Sequence, residues 1–204
     1  MDALLVVDAQ NEFSVNGQRP VPNHTEALHA IVARVAQARA TGWSIAWIRH
    51  HNRPDETPAF VPGSWGAELS PELDPRLEVE AERLFEKDVY GAFTGTDLES
   101  WLWQRGVTRV LVVGFYTHMC VSTTVREALM RGFEVRVDPG ATGACDLNYT
   151  GIGHQTAEEV RRSALLHLTN MGATLHTMPT SGQVSAIAES KTFGGANELS
   201  KVSA

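Results

Sequence analysis

Two short runs without a polar residue, each followed by a stretch of helical periodicity, constrain this chain more than any other feature. Ala3-Leu-Leu-Val-Val7 and Val110-Leu-Val-Val113 are too continuous for strands with one wet face, so each reads as a strand covered on both sides. Behind the first, Ala27, Leu28, Ile31, Val32, Val35 and Ala38 recur at helical spacing from about Thr25 to Ala40, and Gly42 stops the pattern. Behind the second, Val121, Val125, Ala128 and Leu129 do the same and stop at Gly132. Trp43-Ser-Ile-Ala-Trp-Ile48 is again a strand. A strand, a helix and a strand in that succession form the parallel crossover unit.

The rest of the chain repeats this alternation. Arg83 to Lys87 reads as a third strand, and Thr96 caps a helix from Asp97 to Arg105 that ends at Gly106. Phe133 to Asp138 is a fifth strand, Pro139 to Asn148 a loop, Gln155 to Met171 a helix and Ala173 to Thr177 a sixth strand. The fold class that follows is α/β: three layers, with a doubly wound, six-stranded, mainly parallel sheet between helices. A chain of 204 residues with no internal repeat and no linker fits one domain, assigned to residues 1–182. The tail 183–204, rich in Ser, Ala, Gly and Lys, is expected to be flexible or to sit at a subunit contact. Between Asn52 and Leu77 five prolines and two glycines mark a long excursion, read as a lid or substrate-binding loop.

Composition excludes several functions. A formal net charge of -7 leaves no basic stripe for nucleic acid. No apolar run reaches membrane-spanning length, and the N-terminus lacks a basic segment followed by a signal-type core. Two cysteines, Cys120 and Cys145, are too few for a disulfide framework and match no zinc spacing. The expected location is the reducing cytoplasm.

In an open parallel sheet, sites form at the carboxyl edges of the strands. Three reactive residues fall there: Asp8 after the first strand, Lys87 after the third and Cys120 after the fourth. With Thr117 as N-cap, Cys120 lies in the first helical turn, where free N–H groups and the helix dipole favour thiolate. An aspartate beside a thiol can take its proton, and a nearby ammonium supports both anions. Taken singly, Cys120 also reads as a small buried hydrophobe, Asp8 as a capping carboxylate and Lys87 as a solvated surface lysine. A dinucleotide-binding reading fails, because Asp8-Ala-Gln-Asn11 lacks a glycine fingerprint.

Leu4-Leu-Val-Val-Asp-Ala-Gln-Asn-Glu-Phe13, Glu86-Lys-Asp-Val-Tyr-Gly-Ala-Phe-Thr-Gly-Thr-Asp-Leu98 and Val113-Gly-Phe-Tyr-Thr-His-Met-Cys-Val-Ser-Thr-Thr124 resemble, in order and separation, three motifs of the isochorismatase-like cysteine hydrolases. The likeness extends from Leu4 to about Met178. It implies the isochorismatase-like fold, a catalytic triad of Cys120, Asp8 and Lys87, and a homodimer or homotetramer. It also implies a cis peptide joining Phe115 to Tyr116, which with Thr117 and Cys120 would aim backbone N–H groups at an oxyanion. The nicotinamidase branch holds a metal through an Asp-x-His element, and Ile48-Arg-His-His51 lacks the aspartate. No metal and no other cofactor are therefore expected.

The resemblance and the retained cysteine favour cleavage of a C–N bond in a small amide, carbamoyl or ureido compound, through a thioester. True isochorismatases open a vinyl ether by acid catalysis at the aspartate and lack the cysteine, but their Tyr-x-His element is similar to Tyr116-Thr-His118, so vinyl ether hydrolysis stays open as an alternative. A thiol sensor pairing Cys120 with Cys145 is another. Substrate contacts are expected from Gln10, Phe13, Arg49, His50, Trp65, Tyr90, Phe93, Tyr116 and His118. For Phe93 core packing is the competing reading, for Arg49 pairing with a loop acid, and for His118 a capping role.

Overall fold

The computed structural model describes residues 1–53 and 55–176. Among them, in chain order, are β1 (Asp2–Val7), α1 (His24–Ala40), β2 (Ser44–His50), β3 (Glu82–Lys87), α2 (Leu98–Gln104), β4 (Arg109–Phe115), α3 (Ser122–Met130), β5 (Glu134–Gly143), β6 (Leu147–Tyr149), β7 (Gly153–Gln155), α4 (Ala157–Asn170) and β8 (Thr174–Leu175). Six of these strands form one parallel sheet in the order β3-β2-β1-β4-β5-β8. The tail 183–204 and the domain boundary at 182 lie outside the described residues.

The unbroken apolar run of β1 follows from its place in the middle of the sheet. Ala3, Leu5 and Val7 enter the core beneath α2, α3 and α4, while Leu4 and Val6 enter the core beneath α1. Each fully buried Leu or Val here contributes roughly 1.5–3 kcal/mol relative to an exposed one. The second core also takes in Ala59, Phe60 and Leu73, so the proline-rich excursion is packed down over the sheet. Trp47 is buried with its indole N–H donated to Glu82, which removes the cost of hiding that group.

The chain winds outward from β1 through β2 to β3, then returns to β4 on the other side of β1 and winds away through β5 to β8. The strand order therefore reverses between β1 and β4, and a crevice opens at their carboxyl ends.

Three local readings differ from the sequence expectation. Strand β5 runs on to Gly143, through a segment expected to be a loop. Its pairing with β4 jumps from Val112 opposite Val137 to Gly114 opposite Thr142, and Pro139 sits inside that irregularity, where no ladder donor is required. The pair β6–β7 is an antiparallel hairpin that sequence patterning did not reveal. Helix α4 starts at Ala157 rather than Gln155, because Thr156 and Glu159 form a reciprocal capping box. Among the described residues no helix is long and apolar enough to cross a membrane.

Candidate active site

The chain leaves β1 by a sharp reversal. Asp8 has φ +50°, a left-handed conformation that costs a branched side chain about 1–2 kcal/mol. Its N–H is tied to the Ile48 carbonyl and its own carbonyl to the Gln10 N–H, so the turn is held from both sides. Gly114 makes the neighbouring approach possible: a Cβ there would lie 1.8 Å from the Val7 carbonyl oxygen.

The reversal aims the Asp8 side chain at Lys87, at the end of β3. Lys87 Nζ lies 2.7 Å from Asp8 Oδ2, with the two side chains 0% and 1% exposed. The same ammonium is 3.5 Å from Cys120 Sγ and 3.4 Å from His50 Nδ1, so each of its three protons has an acceptor. Burial acts to lower the Lys87 pKa, but the Asp8 charge, with hydrogen bonds to Asp8 and to the Cys120 sulfur, outweighs it and holds it above the ordinary lysine range. Burial, assisted by the Lys87 charge, pushes the His50 pKa down. A neutral His50 that accepts from Lys87 at Nδ1 must donate from Nε2, and Asn52 Oδ1 lies 2.9 Å away to receive it. Asp8 Oδ1 is buried with no N–H or O–H donor among the described residues, and the Cys120 thiol bonds the Asp8 carboxyl group.

Cys120 differs from its expected setting. Thr117 to Val121 form a wide π-helical turn, with the Val121 N–H donated to the Tyr116 carbonyl, and α3 begins only at Ser122. Thr117 is not a cap, because its hydroxyl donates across the turn to Gly143 of β5. Nor does the setting favour thiolate as the helix-start position predicts. Burial first, then the Asp8 charge, drives its pKa above the ordinary value, and Lys87 offsets this only in part. The peptide bond between Phe115 and Tyr116 is cis.

Above these groups lies a cavity of about 350 Å³. Asp8 and Cys120 form part of its lining, together with Phe13, Phe60, Tyr90, Tyr116 and Met119, and His50, Asn52, Thr57, Arg19 and Glu56 supply its polar edge. Of the residues expected at a substrate, Phe13, His50, Tyr90 and Tyr116 are therefore on its wall. The others are placed elsewhere. Gln10 is fully buried, its amide bonded to the His50 backbone and the Ala67 carbonyl, where it stitches β1 to β2 and the long loop. Arg49 bridges Glu68 and Glu86, which answers its charge. Trp65 is 54% exposed. Phe93 and Phe115 pack in the two cores, Phe93 against Phe133 and Phe115 against Phe13. His118 stacks on Tyr116 but lines a separate, smaller cavity beside α4.

The residues that sequence reasoning missed are Arg19, Asn52, Glu56, Thr57, Phe60 and Met119. Four of them belong to the proline-rich excursion, whose length was the available signal. Met119 is the residue before Cys120 in the wide turn, and nothing in the sequence marks Arg19.

Among the described residues no three His, Cys, Asp or Glu side chains converge to hold a metal ion. His50 is committed to Lys87 and Asn52, and His51 lies 3.9 Å from Glu86. This donor set does not fit an Asp-x-His metal centre, and no step below passes through a metal.

Comparison with known proteins adds to this geometry. The family model described as the isochorismatase domain matches residues 2–178. A nicotinamidase/pyrazinamidase of Mycobacterium tuberculosis is 34% identical over 158 residues, covering 67% of this chain and 83% of that protein. A streptothricin hydrolase of Streptomyces noursei is 33% identical over 147 residues, covering 72% of this chain and 56% of the relative. Among solved structures, an isochorismatase from Pseudomonas putida superposes with a TM-score of 0.77 at 28% identity, over 85% of this chain and 86% of that one.

Proposed function

The chain belongs to the isochorismatase family of hydrolases, and within it we propose a cysteine hydrolase that opens a C–N bond of a small amide, carbamoyl or ureido compound. The observation that carries the reading is the convergence of three side chains from three separate strand ends. Lys87 Nζ bonds Asp8 at 2.7 Å and reaches the Cys120 sulfur at 3.5 Å, under a cavity whose lining includes the acid and the thiol. The nicotinamidase/pyrazinamidase relative is a second support.

In the proposed mechanism Asp8 takes the thiol proton as the carbonyl carbon approaches, so that the sulfur becomes anionic only when a substrate is there to receive it. The C–S bond forms, and the carbonyl oxygen becomes an oxyanion held by the backbone N–H of Cys120 and of residues in the turn from Phe115 through Tyr116 to Thr117. As the tetrahedral intermediate collapses, the C–N bond breaks and Asp8 returns the proton to the leaving nitrogen. Water then attacks the thioester, giving its proton to Asp8, and the sulfur leaves and is reprotonated. Lys87 supports the charge that passes between acid and sulfur, and a neutral His50 steadies Lys87 without adding a second cation. Phe13, Tyr90 and Tyr116 would flank the substrate.

Exposed apolar side chains at Tyr149 and Ile152 on the hairpin and at Leu166 on α4 support the expected homodimer or homotetramer. Ammonia release should be screened over amides and ureides with wild type and Cys120→Ala, with isochorismate included. The expected result is ammonia from at least one amide or ureide with wild type only. Turnover of isochorismate alone, surviving Cys120→Ala, would instead favour vinyl ether cleavage.

A further inference from the structure

The seam between α3 and α4 is polar where two packed helices ordinarily meet through apolar stripes. His118 in the wide turn, then Ser122 and Arg126 on α3, follow one another at four-residue spacing along it. Ser163 and His167, four apart on α4, line the same cavity of about 190 Å³, and Gln155 of β7 joins its wall. That volume has room for about six waters. No Asp or Glu lines it. The acids nearest in the chain are engaged elsewhere: Asp146 with the Ala157 N–H, Glu158 with Arg161 and Glu159 with Thr156.

The Arg126 guanidinium is placed by side-chain contacts. Its Nε donates to Ser122 Oγ at 3.3 Å, within the cavity wall, and its Nη1 donates to the sulfur of Met171 at the end of α4. It therefore spans the seam, half-buried, with donors to spare. His118 joins this cavity to the reactive one. Its ring stacks on Tyr116, with centroids 5.3 Å apart and planes at 29°, and Tyr116 lines the cavity over Cys120. His118 and Ser122 also lie two residues to either side of Cys120 in the chain.

We infer that this seam binds a phosphate group, free or carried on a small ester, and that its occupant acts on the reactive cavity through His118 and Tyr116. Every polar side chain on the wall can donate a hydrogen bond, and one of them is a fixed cation. A tetrahedral oxyanion accepts from several directions at once and pairs with the guanidinium, which a neutral ligand would leave uncompensated. The site is separate from the one proposed for the amide, since the two cavities share no lining residue.

The test reads binding first. Wild-type protein is titrated calorimetrically with inorganic phosphate, glycerol 3-phosphate and glycerol, at an ionic strength fixed with sodium chloride. At least one phosphate should bind with a Kd of about 1 mM or below, and glycerol should not bind. Which of the two binds more tightly tells a free ion from an ester. Arg126→Ala should weaken that binding about tenfold or more, and Ser163→Leu, which fills the cavity without removing charge, should do the same. The second readout is the rate at which iodoacetamide alkylates Cys120, followed on its own tryptic peptide. Phosphate should change that rate by about twofold or more in wild type and in neither variant. Alkylation needs no substrate, so this result stands or falls apart from the hydrolase reading. No binding of either phosphate, or binding that survives both substitutions, would overturn the site. Binding with an unchanged alkylation rate would overturn its coupling to the thiol.

Discussion

Among the described residues two ion pairs are shut almost wholly away from solvent, and their surroundings differ. Arg34 of α1 meets Asp138 of β5 at 2.6 Å, with side chains 4% and 7% exposed. The second oxygen of Asp138 accepts from the Gly140 N–H, and Arg34 also reaches Gln37. Lys87 and Asp8 meet at nearly the same distance. There the second carboxylate oxygen has no N–H or O–H donor among the described residues, the aspartate backbone is left-handed, the ammonium extends to a thiol and an imidazole, and a cavity opens above. Both pairs carry a desolvation cost. In the first, that cost is met by ties that fasten α1 to the sheet. In the second, Asp8 also lines the cavity, and that difference is what the proposed catalytic role of the pair would use.

The comparison can be broken by substitution. The largest effect is expected for Cys120→Ser, with ammonia release falling by about a thousandfold or more and the melting temperature close to wild type. Asp8→Ala and Asp138→Ala should each cost about 3–5 kcal/mol of stability in urea unfolding, since each strands a buried cation. Only Asp8→Ala should also abolish turnover by the folded fraction. Equal losses of turnover from both would erase the distinction.

Smaller effects sharpen it. Glu127 of α3 accepts from the Phe93 N–H at 3.0 Å and from the Thr94 hydroxyl, holding the loop that follows Lys87. Glu127→Ala should lower stability by about 1–3 kcal/mol and reduce kcat/KM by less than about tenfold, because it strands donors without touching the thiol. The smallest effect is in pH. His50 is held below its ordinary 6.5, so the unfolded chain takes up that proton first, and the stability involved is lost as pH falls from 6.5 through the folded value. A protonated ring can no longer accept from Lys87. NMR titration of the imidazole should place His50 below 6.5, with turnover falling on the same limb, and a midpoint above 6.5 would contradict the assigned contact.

What was legible in the sequence was what burial writes directly. The runs of β1 and β4 carry the signature of two covered faces, and strand ends are where a parallel sheet gathers its chemistry, so Asp8, Lys87 and Cys120 could be placed without coordinates. The hairpin β6–β7 could not, since its two three-residue strands are exposed throughout and leave no apolar alternation. The direction of the thiol's pKa also escaped, because helix-start reasoning weighs the dipole but cannot see that burial and an adjacent carboxylate oppose it. Arg49 sits near the right element in the chain, yet which side of a turn its long side chain takes depends on partners such as Glu68 and Glu86 that the sequence places far away. Arg19 was invisible for the same reason: only the folded turn brings it to Tyr116.

The central claim, that acid, amine and sulfur act together on a carbonyl, is tested most directly by intact-mass spectrometry of the enzyme quenched during turnover of an active amide. The account predicts an acyl adduct on the peptide that carries Cys120, absent from Cys120→Ala and from Asp8→Ala. Continued hydrolysis by Cys120→Ala, with no adduct on that peptide in wild type, would contradict it.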